Sequence, residues 1–134
     1  MNADKKRLAL LAVAFMAGAV AQTPETVMDM FRTAARALAE QDVRRFLDQF
    51  DAGMKDFDVL RQRVTLLVAS EGAESSIEVV RDDGDDQRRE MQIDWVLRVG
   101  TGASKRRVVK FTVERRGRVW KITAADPVEF FSPD

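Results

Sequence analysis

The sequence of 134 residues contains no cysteine, no histidine and no tyrosine. Without cysteine the chain forms no disulfide, so its stability depends on side-chain burial. Without histidine and cysteine it lacks the usual ligands of zinc and copper, and Ser-His-Asp and Cys-His catalysis are excluded. The absence of tyrosine removes a further catalytic acid. We therefore expect no metal site, no cofactor and no catalytic constellation.

Residues 1–21 have the three parts of a secretory signal peptide. Residues 5–7 are basic, residues 8–21 form an uncharged run of 14, and the small Ala19 and Ala21 occupy the positions that a signal peptidase reads. A membrane-spanning helix needs about 20 apolar residues, so cleavage is favoured over a retained anchor. We expect an exported protein, periplasmic or extracellular, with no membrane attachment after cleavage.

Cleavage leaves residues 22–134, which have the length of one domain. It removes three of the 22 basic side chains and one of the 22 acidic ones, which leaves 19 and 21. Domains that bind nucleic acids carry an excess of clustered positive charge. We therefore expect no nucleic-acid partner.

The first half of this domain has apolar residues at helical spacing. A helix is predicted over 24–40 with Thr23 as its N-cap, and its apolar stripe comprises Val27, Met30, Phe31, Ala34 and Leu38. Asp42 begins a second, shorter helix. A third helix begins near Asp56 or Asp58, either of which can cap it, and buries Leu60, Val64, Leu67 and Val68.

From Ser75 onward the apolar period changes from 3.6 to 2. Four segments alternate in this way, with inward positions at Ile77 and Val79; at Met91, Ile93, Trp95, Leu97 and Val99; at Val109, Phe111 and Val113; and at Trp120, Ile122 and Ala124. Strands with one apolar face predict an antiparallel meander covered on one side. The fold class is therefore α+β, with N-terminal helices packed on one face of a curved four-stranded sheet.

The turns predict the register of this sheet. Residues 116–117 are a candidate two-residue hairpin loop, which pairs Arg115 with Arg118 and Val113 with Trp120. In the other two hairpins the flanking apolar residues are at odd positions, so matching their faces requires loops of three or five residues.

The chain resembles the nuclear transport factor 2-like superfamily, and small exported bacterial members most of all. The resemblance covers most of residues 23–131. It is carried by the helix around Phe31, the segment 75–79, the strand around Trp95 and the ending at residues 120–122. It implies a cone in which a curved sheet wraps a long helix and leaves a pocket at the wide end.

The resemblance implies a candidate ligand pocket. Its lining would come from Phe31, Phe57, Trp95, Phe111 and Trp120. The same side chains carry the periodicity of the core, and core packing is the favoured interpretation. Asp56 and Asp58 are candidate pocket acids. Ketosteroid isomerases, scytalone dehydratase and polyketide cyclases share this shape and work with Asp, His and Tyr, of which this chain has only Asp.

Three charged features favour structural interpretations. The acidic run 82–86 lacks the spacing of a calcium loop and indicates a solvated hairpin tip. The basic run 105–107 indicates a solvated strand edge. Asp94 lies on the sheet face opposite to that of Trp95. Thr112 and Lys121 are its expected cross-strand neighbours on that face.

The chain end and the outer sheet face bear on ligands and partners. Phe130 and Phe131 are expected to dock on the helices or to cover the pocket mouth. The outer face mixes Val, Thr and charges, which is compatible with a monomer or a weak homodimer.

The function most consistent with these features is a non-catalytic exported domain that binds a small apolar ligand or a protein partner of the cell envelope. The alternative is an isomerase or dehydratase that uses a lone pocket carboxylate, Asp56 or Asp58. A third hypothesis is an accessory module of an envelope assembly, with the outer sheet face as its contact surface.

The signal peptide yields the first prediction. In an exporting bacterium the protein is expected to lose residues 1–21, so that intact-mass analysis and N-terminal sequencing give Gln22 as the first residue. Changing Ala21 to Asp removes the small residue at the cleavage position and should leave the precursor in the membrane fraction. A wild-type product that keeps residue 1 would contradict the prediction.

Overall fold

The computed structural model describes residues 25–133. The predicted signal peptide and the predicted helix start at Thr23 lie outside these residues. Three helices come first: α1 (Val27–Ala39), α2 (Val43–Leu47) and α3 (Phe57–Leu67). Four strands follow: β1 (Ala73–Gly84), β2 (Arg88–Val99), β3 (Ser104–Arg116) and β4 (Val119–Asp126), and a 3₁₀ helix at Val128–Phe131 ends the order. None of the helices in residues 25–133 combines the length and apolar character needed to cross a membrane.

Helix α1 begins at Val27, three residues later than predicted. Its start is set by a capping box: the Thr26 hydroxyl accepts the Asp29 amide at 3.0 Å, and the Asp29 carboxylate accepts the Thr26 amide at 3.1 Å. Glu25, which the prediction placed in the first turn, precedes the helix. The inward stripe is confirmed, since Met30, Phe31, Ala34 and Leu38 are buried together with Ala37.

The caps of the next two helices differ from each other. The Asp42 carboxylate accepts the Arg45 amide at 3.0 Å and caps α2, as predicted. Asp56 occupies the N-cap position of α3 but makes no side-chain cap hydrogen bond. Its φ is +65°, whereas a capping residue normally has an extended backbone that directs its oxygen at the first-turn amides. Asp58 lies within the first turn, so the prediction that one of these acids caps α3 was wrong.

The sheet is a four-stranded antiparallel meander in the order β1-β2-β3-β4, which confirms the α+β fold class. We call the face that packs on the helices the inner face and the opposite one the outer face. The inner face buries the alternating residues of β2, β3 and β4, including Trp95, Phe111 and Trp120. The predicted single apolar sheet face is therefore present.

The predicted register of β3 and β4 was wrong by two residues. Arg116 pairs with Val119, so the loop consists of Gly117 and Arg118, and Val113 pairs with Ile122. Gly117 has a φ of +67°, a conformation that glycine adopts without steric cost. Because the shift is even, inward-facing residues still pair with inward-facing residues, but Trp120 is now paired with Arg115.

Two β-bulges alter the pattern of inward residues. One lies at Val80, between the pairs that Val79 and Arg81 make with β2. The other lies at Thr123 in β4. An extra residue exchanges the faces of the residues that follow it, so Ala125, and not the predicted Ala124, packs against the core.

The bulge in β1 also explains why the predicted odd loop length holds for one hairpin and fails for the other. Arg98 pairs with Ser104 and leaves five residues between them, an odd number as predicted. Gly84 pairs with Arg89 and leaves four, which differs from the prediction. The prediction assumed regular strands, and the bulge at Val80 supplies the missing change of parity.

The core is built around aromatic rings from the helices, the sheet and the chain end. The Phe31 ring lies 5.0 Å from that of Phe111 and 6.5 Å from that of Trp95. Phe131 of the 3₁₀ helix approaches Trp95 at 5.0 Å and Phe46 of α2 at 5.4 Å. We call Phe31, Phe46, Trp95, Phe111 and Phe131 the aromatic cluster. The chain end is thus docked in the core, as expected.

This docking predicts a large stability effect near the C-terminus. Phe131 is 0% exposed, so Phe131→Ala should lower the free energy of unfolding by about 3–5 kcal/mol. The control is Leu66→Ala, at a side chain that is 61% exposed, which should change it by less than about 0.5 kcal/mol. Urea denaturation followed by circular dichroism measures both. Equal values for the two variants would contradict the docked arrangement.

Candidate functional site

The predicted ligand-pocket residues are mostly parts of the core. Phe31, Trp95 and Phe111 contact one another within the aromatic cluster, and the Trp95 indole donates to the Ser75 hydroxyl at 3.0 Å. Phe57 is partly buried and packs against the same core. Trp120 lies further along the inner face and lines a cleft described below. Ligand binding by these residues stays a prediction.

The two predicted pocket acids are not brought together. Asp56 lines a cleft of about 400 Å³, which we call the Asp56 cleft. Most of that lining is charged: Lys55, Asp56, Glu90, Lys110, Asp126 and Glu129. The Asp56 side chain is 46% exposed. The Asp58 side chain is 76% exposed and pairs with Arg61 at 2.9 Å. Both carboxylates are therefore well solvated.

Asp94 forms an ion pair that the sequence analysis did not identify. The Asp94 side chain is 12% exposed, and its carboxylate accepts three charged hydrogen bonds from Arg106: one from Nη2 at 2.6 Å and two from Nε at 3.0 and 3.2 Å. Its expected companions are engaged elsewhere: Thr112 with Glu90, and Lys121 with the carbonyl of Asp48. The hydrogen bonds and charge of Arg106 hold the pKa of Asp94 below its ordinary value.

The acidic run at the first hairpin tip is explained by local contacts. Asp85 accepts the amides of Gln87 and Arg88 at 2.8 and 3.0 Å, which lowers its pKa. Asp82 pairs with Arg89 at 2.7 Å, and Asp83 with Arg81 at 2.6 Å. Among residues 25–133 no group of three or more His, Cys, Asp or Glu side chains is arranged to hold a metal ion.

The basic run 105–107 supports the chain end. The Lys105 ammonium donates to the Ser132 carbonyl and lies 5.3 Å from the centre of the Phe130 ring. Arg106 belongs to the Asp94 pair. Lys105 therefore contacts the docked C-terminal segment, and Arg106 forms an ion pair on the outer face.

Another cleft combines apolar and charged lining residues. It has a volume of about 500 Å³ and lies at the end of the inner face, beside the first turn of α1; we call it the Trp120 cleft. Its apolar lining comes from Val27, Met28, Val79, Met91 and Trp120. Its charged lining comes from Glu25, Asp82, Asp86, Arg89 and Arg115.

Sequence-local features place these side chains. The bulge at Val80 turns Asp82 to the inner face, where it pairs with Arg89. Glu25 fixes the start of α1 against β4, because its amide donates to the Arg118 carbonyl at 3.0 Å and its carboxylate accepts the Trp120 amide at 3.1 Å. The cleft is the part of the inner face that lies beyond the start of α1.

Arg115 is the functional candidate that sequence reasoning missed. It follows Val113 on the inner face, and its guanidinium lies 5.5 Å from the centre of the Trp120 ring. Its Nε is buried and has no hydrogen-bond partner among residues 25–133. A signal was available in the sequence, since an arginine at residue 115 continues the inward positions 109, 111 and 113.

A second apolar cleft lies at the opposite end of the sheet. It has a volume of about 390 Å³ and is lined by Leu67, Leu97, Val99, Ala103, Lys105 and Pro133, among others. The backbone of the chain end forms one of its walls, so its shape depends on the same docked segment that closes the core.

Comparison with known proteins identifies the fold. No protein-family model matches the chain, and no curated protein matches it. An NTF-2 like protein of unknown function from Shewanella oneidensis MR-1 aligns over 74% of this chain and 93% of its own, with a TM-score of 0.64 and 11% sequence identity. A protein of unknown function with a cystatin-like fold from Nostoc punctiforme PCC 73102 aligns over 75% and 89%, with a TM-score of 0.58 and 16% identity.

These two structures bear on architecture alone because their identities to this chain are low. The chain has the nuclear transport factor 2-like fold, as the sequence resemblance implied. Function has to be argued from the clefts and side chains of this chain itself.

The Asp94 pair yields a prediction about pH. In Arg106→Gln the pKa of Asp94 should rise, because the charged hydrogen bonds are lost. A lowered folded-state pKa stabilises the protein above the ordinary aspartate pKa of 3.8, and this contribution disappears as the pH falls through the folded-state pKa. The stability difference between wild type and variant should therefore be complete at neutral pH and shrink in acid.

Carbon-detected NMR titration of the Asp94 carboxyl group measures the pKa directly. Arg107→Gln on the same strand is the control and should leave the pKa of Asp94 unchanged. An unchanged value in Arg106→Gln would show that the pair does not form in solution.

Proposed function

We propose that this protein is an exported, non-catalytic domain that binds a small apolar ligand in the Trp120 cleft. The observation that carries the proposal is a cleft of about 500 Å³ at the end of the inner face, where five apolar side chains lie beside five charged ones. Small-molecule sites have volumes of about 300–1,000 Å³ and are mostly apolar with a few polar groups. Export rests on the signal-peptide pattern of residues 1–21.

The packing of the rest of the inner face supports this location. The aromatic cluster fills the space between α1 and the sheet, and Phe131 occupies the position that a ligand would need there. Beyond Val27 the helix no longer covers the sheet. Val27, Met28 and Val79 are partly exposed there, whereas Met91 and Trp120 are only 2% and 5% exposed. The partly exposed side chains contribute apolar surface to a cleft that is open to solvent, and an apolar ligand would remove this surface from water.

The state of the carboxylates argues against the enzymatic alternative. A general base at neutral pH needs a pKa matched to its task, which burial or a like charge supplies. Asp56 is half exposed, Asp58 is paired at the surface, and Asp94 is held ionised by Arg106. The geometry of these acids supports binding better than proton transfer.

The outer face supports a monomer better than a tight dimer. Several of its charges are paired within the chain: Arg88 contacts Glu90 and Glu114 at 3.1 Å each, and Arg106 contacts Asp94. Its exposed valines, Val80, Val108 and Val119, lie on three different strands. Stable interfaces need a larger continuous apolar centre.

Octan-1-ol is a suitable neutral probe for the proposed site. In NMR titrations of the exported protein it should cause saturable shifts of the Trp120 indole N–H and of the Met28 and Met91 methyl groups. The Trp95 indole N–H, which is bonded to Ser75 in the core, serves as the internal reference and should not move.

A matched pair of variants tests the location of binding. Met28→Trp places a bulky ring in the cleft and should weaken octan-1-ol binding at least fivefold, whereas Arg36→Trp, at an exposed position on the same helix, should not change it. Shifts that fail to saturate, or that centre in both variants on Leu97 and Val99 of the second apolar cleft, would overturn the proposal for the Trp120 cleft.

A further inference from the structure

We infer that the ligand of the Trp120 cleft carries one carboxylate, which pairs with Arg115. This inference rests on the proposed function, because it names the chemical class of the ligand for the same cleft. The ligand class is a small monocarboxylic acid with a hydrocarbon or aromatic body.

Arg115 has a fixed backbone but a side-chain Nε that lacks a hydrogen-bond acceptor within the part of the chain that the structure describes. Its backbone amide donates to the Gln87 carbonyl at 2.9 Å, which fixes the residue at the mouth of the first hairpin. Its guanidinium lies over the Trp120 ring, and its buried Nε has no acceptor among residues 25–133. A buried charged donor without an acceptor is costly, so an oxygen supplied by a ligand would satisfy it.

Most of the other charged groups of the cleft have partners within the chain, which distinguishes Arg115 from them. Arg89 pairs with Asp82 at 2.7 Å and donates to the Asp85 carbonyl at 2.7 Å. Glu25 accepts the Trp120 amide. Asp86 lies at the exposed hairpin tip, on the rim of the cleft. No ion pair joins Arg115 to a carboxylate within the described part of the chain.

The balance of charge selects a monoanion. Asp82, Asp86 and Glu25 also line the cleft, so a phosphate dianion would meet three carboxylates and only two cations. A single carboxylate matches the planar fork of one guanidinium, which binds two oxygens side by side.

The apolar lining selects the rest of the molecule. Met91, Val79 and Met28 lie in the same cleft as Arg115 and offer no hydrogen-bonding groups beyond the weakly accepting thioethers. A ligand whose carboxylate meets Arg115 therefore has to place a hydrocarbon portion against these side chains. Met is unbranched and adapts to varied shapes, which suits aliphatic and aromatic bodies alike.

Three probes of equal chain length and different charge test the inference without any substitution. Octanoate, octan-1-ol and octylammonium are titrated at pH 7 while the Trp120 indole N–H signal is followed. Octanoate should bind at least about tenfold more tightly than octan-1-ol, the effect of one charge-assisted hydrogen-bonded pair, and octylammonium should bind most weakly. The reverse order would show that the acidic side chains dominate the cleft and would overturn the inference.

A variant pair assigns the effect to Arg115. Arg115→Met keeps an apolar stem and should abolish the preference for octanoate, which is measured as the ratio of the octanoate and octan-1-ol affinities, so that a change of the cleft that affects both probes cancels. Arg107→Met, on the same strand and exposed, should keep the full preference. Arg115→Lys keeps the charge but not the planar fork, and should retain an intermediate preference.

The outcomes separate this inference from the function on which it rests. If octan-1-ol and octanoate bind equally to wild type, the carboxylate inference fails and the apolar cleft stands. If none of the probes shifts the Trp120 signal saturably, the proposed function fails as well. Octanoate binding that persists unchanged in Arg115→Met would place the acid elsewhere and overturn the assignment.

Discussion

The contact between one helix and the inner face of the sheet determines the whole architecture. Phe31 of α1 lies against Trp95 of β2 and Phe111 of β3, with ring centres 6.5 and 5.0 Å away. Without disulfides the chain depends on burial of this kind. Phe131 adds a fourth ring from the chain end, so Phe31 and Phe131, which are 100 positions apart in the sequence, belong to one packed centre.

The two β-bulges determine which side chains lie on the inner face near the ends of β1 and β4. A strand of strict alternation would have placed Arg81 on the inner face, whereas the bulge at Val80 places Asp82 there beside Arg89. The bulge at Thr123 brings Ala125 to the core side of β4. Bulges also increase local twist and bend a strand. They therefore decide both the curvature of the sheet and the charges that line the Trp120 cleft.

The two faces of the sheet differ in whether their charged side chains have partners. On the outer face arginines and acids pair within the chain, as Arg106 does with Asp94 and Arg88 with Glu114. On the inner face Arg115 is partly buried, lies over Trp120 and leaves its Nε without an acceptor. Natural proteins satisfy nearly all buried polar groups. An exception beside an apolar cleft is therefore more informative about ligands than the many exposed ion pairs.

Local sequence patterns were sufficient to predict the elements and their faces. The period of 3.6 before Ser75 and of 2 after it predicted three helices, four strands and one buried sheet face, because side-chain direction follows from backbone repeat. The absence of cysteine, histidine and tyrosine was also evident from the composition. The start of α1 was missed although Thr26 and Asp29 form a capping box, since Pro24 offered a competing start signal.

Only the tertiary structure decided the register, the bulges and the lining of the clefts. Both possible positions of the loop at Gly117 pair inward-facing residues with inward-facing residues, so alternation alone does not choose between them. Asp56 and Asp58 looked equivalent as caps in the sequence. In the fold Asp56 has a left-handed backbone and makes no cap hydrogen bond, and Asp58 lies within the first turn. Whether Arg115 finds a partner depends on residues from four elements that meet only in the fold. Local repeats determine which way a side chain points, whereas its neighbours depend on long-range packing.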